Sequence, residues 1–209
     1  MPISNEEIKC FMVFNCPIAH PTAIIRASIL RKYNLKYSND HTHSEDYNLW
    51  SQLSEYSELT NTPQILLDYR VHPNQITGNN KLHAVKENTL HAIRTKHLRK
   101  LGILPTDEEL KIHSIISNAE SVSSILQLEQ AEIWLNKIVI INKENGAMNS
   151  SYLNKIVLER WLRVCFNFYG GRKGLIYFLK SRLYKSITLP FLQKVELCKQ
   201  IYYSFKRKN

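Results

Sequence analysis

The sequence predicts an α+β fold that is mostly helical, and three observations lead to this prediction. Two short runs rich in aliphatic residues, at positions 23–25 and 64–71, have the composition of buried strands. From about residue 81 onward the apolar residues recur with helical spacing, and capping and turn residues divide this part of the chain into several helices. Apolar residues make up 44% of the chain, which is enough for a packed core.

Residues 1–80 are expected to alternate short helices with these strands. A helix is predicted over residues 5–16, because Asn5 is a good N-cap and Pro17 follows its end. The strand at 23–25 comes next, followed by one or two helical turns at 28–33 and a polar loop at 37–44.

A second amphipathic helix is predicted over residues 45–55, and the strand at 64–71 follows it. The apolar face of this helix is formed by Tyr47, Leu49, Trp50 and Leu53. His72 and Pro73 close the strand, since Pro favours a turn.

The pattern of residues 81–209 predicts helices throughout. The helix at 81–101 ends at Gly102, and Thr106 begins the next one with a capping box. Further helices are predicted at 126–143, ending near Gly146, and at 150–168, ending at Gly170. The last two are expected at 175–184 and 191–205.

The composition favours anionic partners without specifying which. The formal net charge is +10 and the pI about 9.4, which suits nucleotide phosphates, nucleic acid or an acidic membrane surface, and equally a basic solvated surface. The four cysteines form no C-x-x-C pair, so we expect reduced thiols in a cytoplasmic protein. No secretory signal pattern and no apolar run of about 20 residues is present, so we expect a soluble or peripheral protein.

Three sequence blocks carry the functional information. They read NCPIAHPTAIIR from residue 15, HTHSEDYNLWSQL from residue 41 and LLDYRVHPNQI from residue 66. In this order and at this spacing, the blocks resemble the C-terminal part of the catalytic domain of family 2 glycosyltransferases, which have the GT-A fold. The resemblance covers about residues 5–80, and the helical remainder is similar to the tail of bacterial members.

The resemblance implies an inverting transfer of a sugar from a nucleotide-sugar donor to a saccharide or lipid-linked acceptor. Asp46 is then the candidate general base, since a carboxylate within hydrogen-bond reach of the acceptor hydroxyl can take its proton. Glu45 lies beside it and is a second catalytic candidate. The alternative is an ordinary acidic pair at a helix N-terminus, where the helix dipole stabilises negative charge.

Four further residues are candidates with open alternatives. By the resemblance, His72 is a metal ligand for the Mn²⁺ or Mg²⁺ that bridges the donor phosphates, or else simply the end of a strand. Arg70 either contacts a phosphate or pairs with a carboxylate. His20 and Trp50 are candidates for the acceptor pocket, although each also fits a structural role in the core.

The sequence contains no Asp-x-Asp motif and no glycine-rich phosphate loop. We therefore expect the chain to lack the donor-binding half, with residues 1–80 as the C-terminal part of the catalytic domain and 81–209 as a helical subdomain. The divalent metal then depends on a donor-binding half supplied from elsewhere, and a partner would cover the exposed face of the incomplete sheet. The alternative function is a catalytically inactive acceptor-binding or regulatory module.

The C-terminal helices alternate aromatic and basic residues. This pattern suits peripheral contact with the inner face of a membrane, and equally a packed helical subdomain with a basic surface. No helix-turn-helix signature or aromatic nucleic-acid platform is present, so nucleic acid is not an expected partner.

Overall fold

A computed structural model describes residues 1–38, 44–68, 70, 83–191, 193–195 and 197–199, without the side chains of residues 83–86. The chain divides into two compact units, Met1–His97 and Leu98–Asn209. The domain boundary predicted at residue 80 lies outside the described residues and stays a prediction. Among the described residues, no helix combines the length and apolar character that crossing a bilayer requires.

The first unit is built from short helices and irregular segments. Its helices are α1 (Asn5–Phe11), α2 (Ala27–Lys32), α3 (Glu45–Tyr56) and α4 (His83–Lys100), with a 3₁₀ turn at His20–Thr22. The last helix continues beyond the boundary between the units. The helices predicted at 28–33 and 45–55 are confirmed.

The N-cap of α1 is Ser4, whose side chain accepts a hydrogen bond from the backbone of Glu7. Asn5 instead accepts from the backbone N–H of Leu59 at 3.1 Å, which ties the start of α1 to the segment after α3. The helix ends at Phe11 and continues only as turns, so the predicted extension to Cys16 is wrong.

The core of the first unit forms around α3. Tyr47, Leu49, Trp50 and Leu53 are all buried, as the helical pattern predicts. They pack with the buried side chains of Ile8, Met12, Leu35, Leu90 and Ile93. α3 is therefore held on its apolar side, and its N-terminus has a defined position.

The second unit contains α5 (Asp107–Asn118), α6 (Ile125–Asn145), α7 (Ser150–Tyr169), α8 (Gly171–Lys180) and α9 (Arg182–Ser186). The capping box at Thr106 is confirmed: its side chain accepts from the Glu109 backbone, and the Glu109 carboxylate accepts from the Thr106 backbone. Gly146 ends α6 at φ 61°, a left-handed conformation that glycine adopts without strain.

The single helix predicted at 175–184 is two helices. Ser181 separates α8 from α9 with an extended backbone (φ −62°, ψ 151°), and its hydroxyl caps α9 by accepting from the backbone of Tyr184. The indole N–H of Trp161 also donates to this hydroxyl, at 2.9 Å. A tertiary hydrogen bond thus fixes the break.

The predicted α+β class is wrong for the described residues, which contain helices and no strand. Residues 23–25 are extended, but Ile24 is 99% exposed while Ala23 and Ile25 lie against the core. The described part of 64–71 is also irregular and exposed, with Ile65 90% exposed. A strand needs a hydrogen-bonded neighbour, and none is present in the described ranges to form a ladder. The described residues contain no sheet, so in this part of the chain there is no sheet face for the predicted partner to cover.

Candidate functional site

The site is organised by the first turn of α3. Ser44 is the N-cap, and Asp46 follows as the second residue of the helix. Asp46 is half-buried, and its Oδ1 accepts a hydrogen bond from the Tyr47 backbone N–H at 2.7 Å. Because Tyr47 is buried and its hydroxyl donates to the Met12 carbonyl, the helix start is anchored in the core.

The second oxygen of Asp46 faces a cysteine from the first sequence block. Cys16 Sγ lies 4.0 Å from Asp46 Oδ2 and 3.3 Å from the carbonyl oxygen of Ile18. Burial, and to a smaller extent the negative charge of Asp46, together raise the pKa of the Cys16 thiol to about 12. The sulfur is therefore a neutral thiol at physiological pH and adds no negative charge next to the carboxylate.

Trp50 lines the same place one turn further along α3. Its side chain is 1% exposed, and Nε1 makes no hydrogen bond within the described residues. The indole N–H lowers the pKa of Cys16, although burial raises that pKa by more. The N–H therefore lies near the sulfur, but it does not meet the distance and angle of a hydrogen bond. The floor of the site is thus apolar, with one buried donor directed towards Cys16.

An aromatic pair forms the exposed side of the site. The Tyr37 hydroxyl and His20 Nε2 are 2.8 Å apart, and the His20 ring meets Trp50 edge-on with centroids 6.3 Å apart. Burial raises the pKa of Tyr37, and the charges of Asp46 and then Glu45 raise it further. The phenol is therefore close enough to both carboxylates to be affected by their charge.

The structure brings together four of the six predicted site residues: Glu45, Asp46, Trp50 and His20. Arg70 is exposed, and no contact in the described part of the chain joins it to this group. His72 lies outside the described residues, so its placement is untested.

Sequence reasoning missed Cys16 and Tyr37 as site residues. Cys16 lies within the first block beside Pro17, and a thiol between two motif residues was the available signal. Tyr37 lies in a polar stretch that no motif marks, so nothing in the sequence separates it from the other tyrosines.

The described residues do not by themselves make a metal site. No group of three or more His, Cys, Asp or Glu side chains in these ranges is arranged to hold an ion. A divalent cation prefers several oxygen ligands, and Glu45 and Asp46 are the carboxylates that the site contains. An ion bound at this site would therefore need further ligands from outside the described residues.

The arrangement suits a proton acceptor for a hydroxyl ligand. A half-buried carboxylate is held at a helix N-terminus, next to an aromatic rim that carries hydrogen-bonding groups at His20 and Tyr37. Carboxylates and aromatic rings together bind polyhydroxylated molecules, because the rings cover C–H faces and the oxygens accept from hydroxyl groups. The site thus defines a candidate hydroxyl-binding, acid–base type of centre.

Comparison with known proteins narrows this class. The chain is 30% identical over 131 residues to a Haemophilus influenzae protein named as an uncharacterized glycosyltransferase, a match that covers 60% of this chain and 41% of the relative. The similarity supports glycosyltransferase as the general class of function. The match spans less than half of the relative's length. No protein-family model matches the chain, and no solved structure matches it.

Proposed function

We propose that this chain provides the acceptor-binding and proton-accepting side of a family 2 glycosyltransferase of the inverting type. The observation that carries the proposal is the position of Asp46, half-buried at the start of α3 between Cys16 and the pair formed by His20 and Tyr37. The three sequence blocks and the similarity to a protein named as a glycosyltransferase both support it.

In the proposed reaction, a hydroxyl oxygen of a saccharide or lipid-linked acceptor attacks the anomeric carbon of a nucleotide-sugar. As the new C–O bond forms, the bond to the nucleoside diphosphate breaks, and the acceptor proton moves to a carboxylate oxygen of Asp46. General-base assistance of this kind contributes about 10²–10⁴-fold to the rate.

The surroundings of Asp46 suit this role. Oδ1 is oriented by the Tyr47 N–H, and the other oxygen lies beside a protonated thiol, so the carboxylate is oriented without being neutralised by a salt bridge among the described residues. His20 and Tyr37 would contact the acceptor sugar, and buried Trp50 would support the His20 ring from below. Glu45 would bind an acceptor hydroxyl, because adjacent residues at a helix start point in different directions.

The donor and the metal enter only with a donor-binding half. A divalent ion, Mn²⁺ or Mg²⁺, would neutralise the leaving diphosphate, with His72 as the predicted ligand from this chain. The fold proposed here is the helical one described above, and the incomplete sheet forms no part of the proposal.

The test is a transfer assay of this chain supplied with a donor-binding half, using UDP-glucose and UDP-galactose, a panel of saccharide acceptors and Mn²⁺. It is combined with calorimetric titration of each donor into the chain with and without that half. The Asp46→Asn variant should lose about 10²–10⁴-fold in transfer rate while donor binding and the helical circular dichroism spectrum are kept. Glu45→Gln is the matched control and should lose much less. An Asp46→Asn variant as active as the native chain would remove the base assignment.

The second candidate is a catalytically inactive acceptor-binding module, favoured by the absence of an Asp-x-Asp motif in this sequence. It predicts saccharide binding without donor binding or turnover. Saccharide binding that is weakened by changes at Tyr37 and His20, in a chain that binds neither donor, would favour this candidate over the transferase.

A further inference from the structure

The outward face of α8 combines three cations with two large aliphatic side chains. Arg172, Lys173 and Lys180 are exposed, while Ile176 is 50% exposed and Leu179 41% exposed. With 3.6 residues per turn, these five positions fall within one sector of about 120° around the helix axis. The face is therefore both basic and apolar.

Close packing keeps this face turned outward. On the opposite side of α8, Gly174 and Phe178 are buried. A Cβ atom at Gly174 would lie 2.7 Å from the carbonyl oxygen of Cys165 and 2.9 Å from the Cα of Phe166. The α8 backbone thus lies directly against α7, and rotation of α8 would push a side chain into this contact.

The C-terminal end of α8 is anchored as well. The Ser181 hydroxyl accepts from the Trp161 indole and donates to the Phe178 carbonyl at 2.6 Å. The next helix, α9, begins with the Leu183 N–H donating to Glu132 of α6 at 2.9 Å. Both helices are therefore fixed by buried or half-buried polar contacts, and the exposed face is a preformed surface.

The charge of this region is not compensated within its own stretch of sequence, although Glu132 and Glu129 of α6 lie close enough to Tyr177 of α8 to add to the rise in its pKa that burial causes. The sequence contains no Asp or Glu between Glu159 and Glu196. That interval holds eight basic residues: Arg160, Arg163, Arg172, Lys173, Lys180, Arg182, Lys185 and Lys194. In the described part of the chain, the three cations of the α8 face take part in no ion pair.

We propose that the α8 face binds the surface of an anionic lipid bilayer, with Ile176 and Leu179 inserted between headgroups and the three cations on anionic phosphates. The exposed aliphatic side chains decide between lipid and nucleic acid, since a duplex offers no apolar layer while a bilayer interface does. This proposal does not depend on the transferase reaction. It gives the chain a place at a membrane surface whether or not Asp46 is a base.

The experiment measures partition of the full chain onto sedimenting vesicles. Vesicles of phosphatidylcholine with 30 mol% phosphatidylglycerol are compared with pure phosphatidylcholine, in 0.1 M salt. Each cation removed near an anionic surface should lower the partition coefficient about fivefold, so the triple variant Arg172→Gln, Lys173→Gln, Lys180→Gln should lose about 100-fold.

A charge-matched control separates this face from net charge. Arg99→Gln, Lys111→Gln and Lys143→Gln remove three exposed cations elsewhere in the second unit and should change partition by less than about fivefold. For the apolar part, the double variant Ile176→Ser, Leu179→Ser should weaken binding, whereas Ile133→Ser on α6, 69% exposed, should not.

Three outcomes would overturn the proposal: no preference for phosphatidylglycerol vesicles, equal losses in the two triple variants, or tighter binding of a 20-base-pair DNA duplex through the same three cations. Because all the variants change exposed side chains, their circular dichroism spectra should match that of the native chain. The transferase assay tests the role of Asp46 and does not depend on vesicle binding, so either proposal can fail without the other.

Discussion

Removing the charge of Asp46 should make the Cys16 thiol more reactive, because the sulfur lies 4.0 Å from the carboxylate. In the native chain the pKa of Cys16 is raised from 9.0 to about 12. At pH 8 the thiolate is then about 10⁻⁴ of the total, against about a tenth for a cysteine with the ordinary pKa of 9.0. The native thiol should accordingly resist alkylation.

The magnitude follows from the distance. Two unit charges 4 Å apart interact by about 1 kcal/mol in water and about 4 kcal/mol at an effective dielectric constant of about 20. Burial is the larger cause of the rise, so we assign the Asp46 charge about 1.4 kcal/mol, which is a factor of about 10 in thiolate population. A less basic thiolate is also a weaker nucleophile by about threefold, so Asp46→Asn should speed alkylation about threefold.

The assay is alkylation by iodoacetamide between pH 7 and pH 9, followed by mass spectrometry of the Cys16 peptide. Throughout this range the pH is below the folded pKa, so the rate should rise about tenfold per pH unit in both proteins, with a constant offset between them. Glu45→Gln is the control, since Glu45 affects Tyr37 and is not among the charges that raise the pKa of Cys16. Equal rates for native protein and Asp46→Asn, or the same acceleration in Glu45→Gln, would refute the geometry of the site.

Two further predictions concern stability. Gly174→Ala should destabilise the second unit by about 1–3 kcal/mol in urea unfolding, because the new Cβ meets backbone atoms of α7. The control Lys173→Ala, at an exposed position, should change the free energy of unfolding by no more than about 0.5 kcal/mol. A Gly174→Ala chain as stable as the native one would show that the two helices separate freely. Arg94→Met should destabilise the first unit by about 3–5 kcal/mol, because the buried Arg94 guanidinium lies 3.7 Å from the Glu87 carboxylate and its Nε donates to the Phe14 carbonyl at 3.0 Å. Exposed Arg99→Met serves as control, and equal midpoints for the two variants would contradict this assignment.

Part of the candidate site was predictable from the sequence. Glu45 and Asp46 precede an apolar pattern of helical period, so their position at a helix start follows from local rules alone. The presence of His20, Cys16 and Tyr37 at the site could not be predicted from local sequence rules. They reach Asp46 from parts of the chain that are 9 to 30 residues away, and only packing around Trp50 decides whether such segments meet.

Several helices follow from signals that lie within or next to their own residues. The capping box at Thr106 and the terminal glycines at 102, 146 and 170 fixed helix ends, because caps satisfy backbone groups within a few residues. Tertiary structure decided the rest. The runs at 23–25 and 64–71 have strand composition, yet a strand depends on a neighbour elsewhere in the chain or in another chain. The break at Ser181 combines a local cap, in which its hydroxyl accepts from the Tyr184 backbone, with a tertiary hydrogen bond from Trp161, 20 residues away.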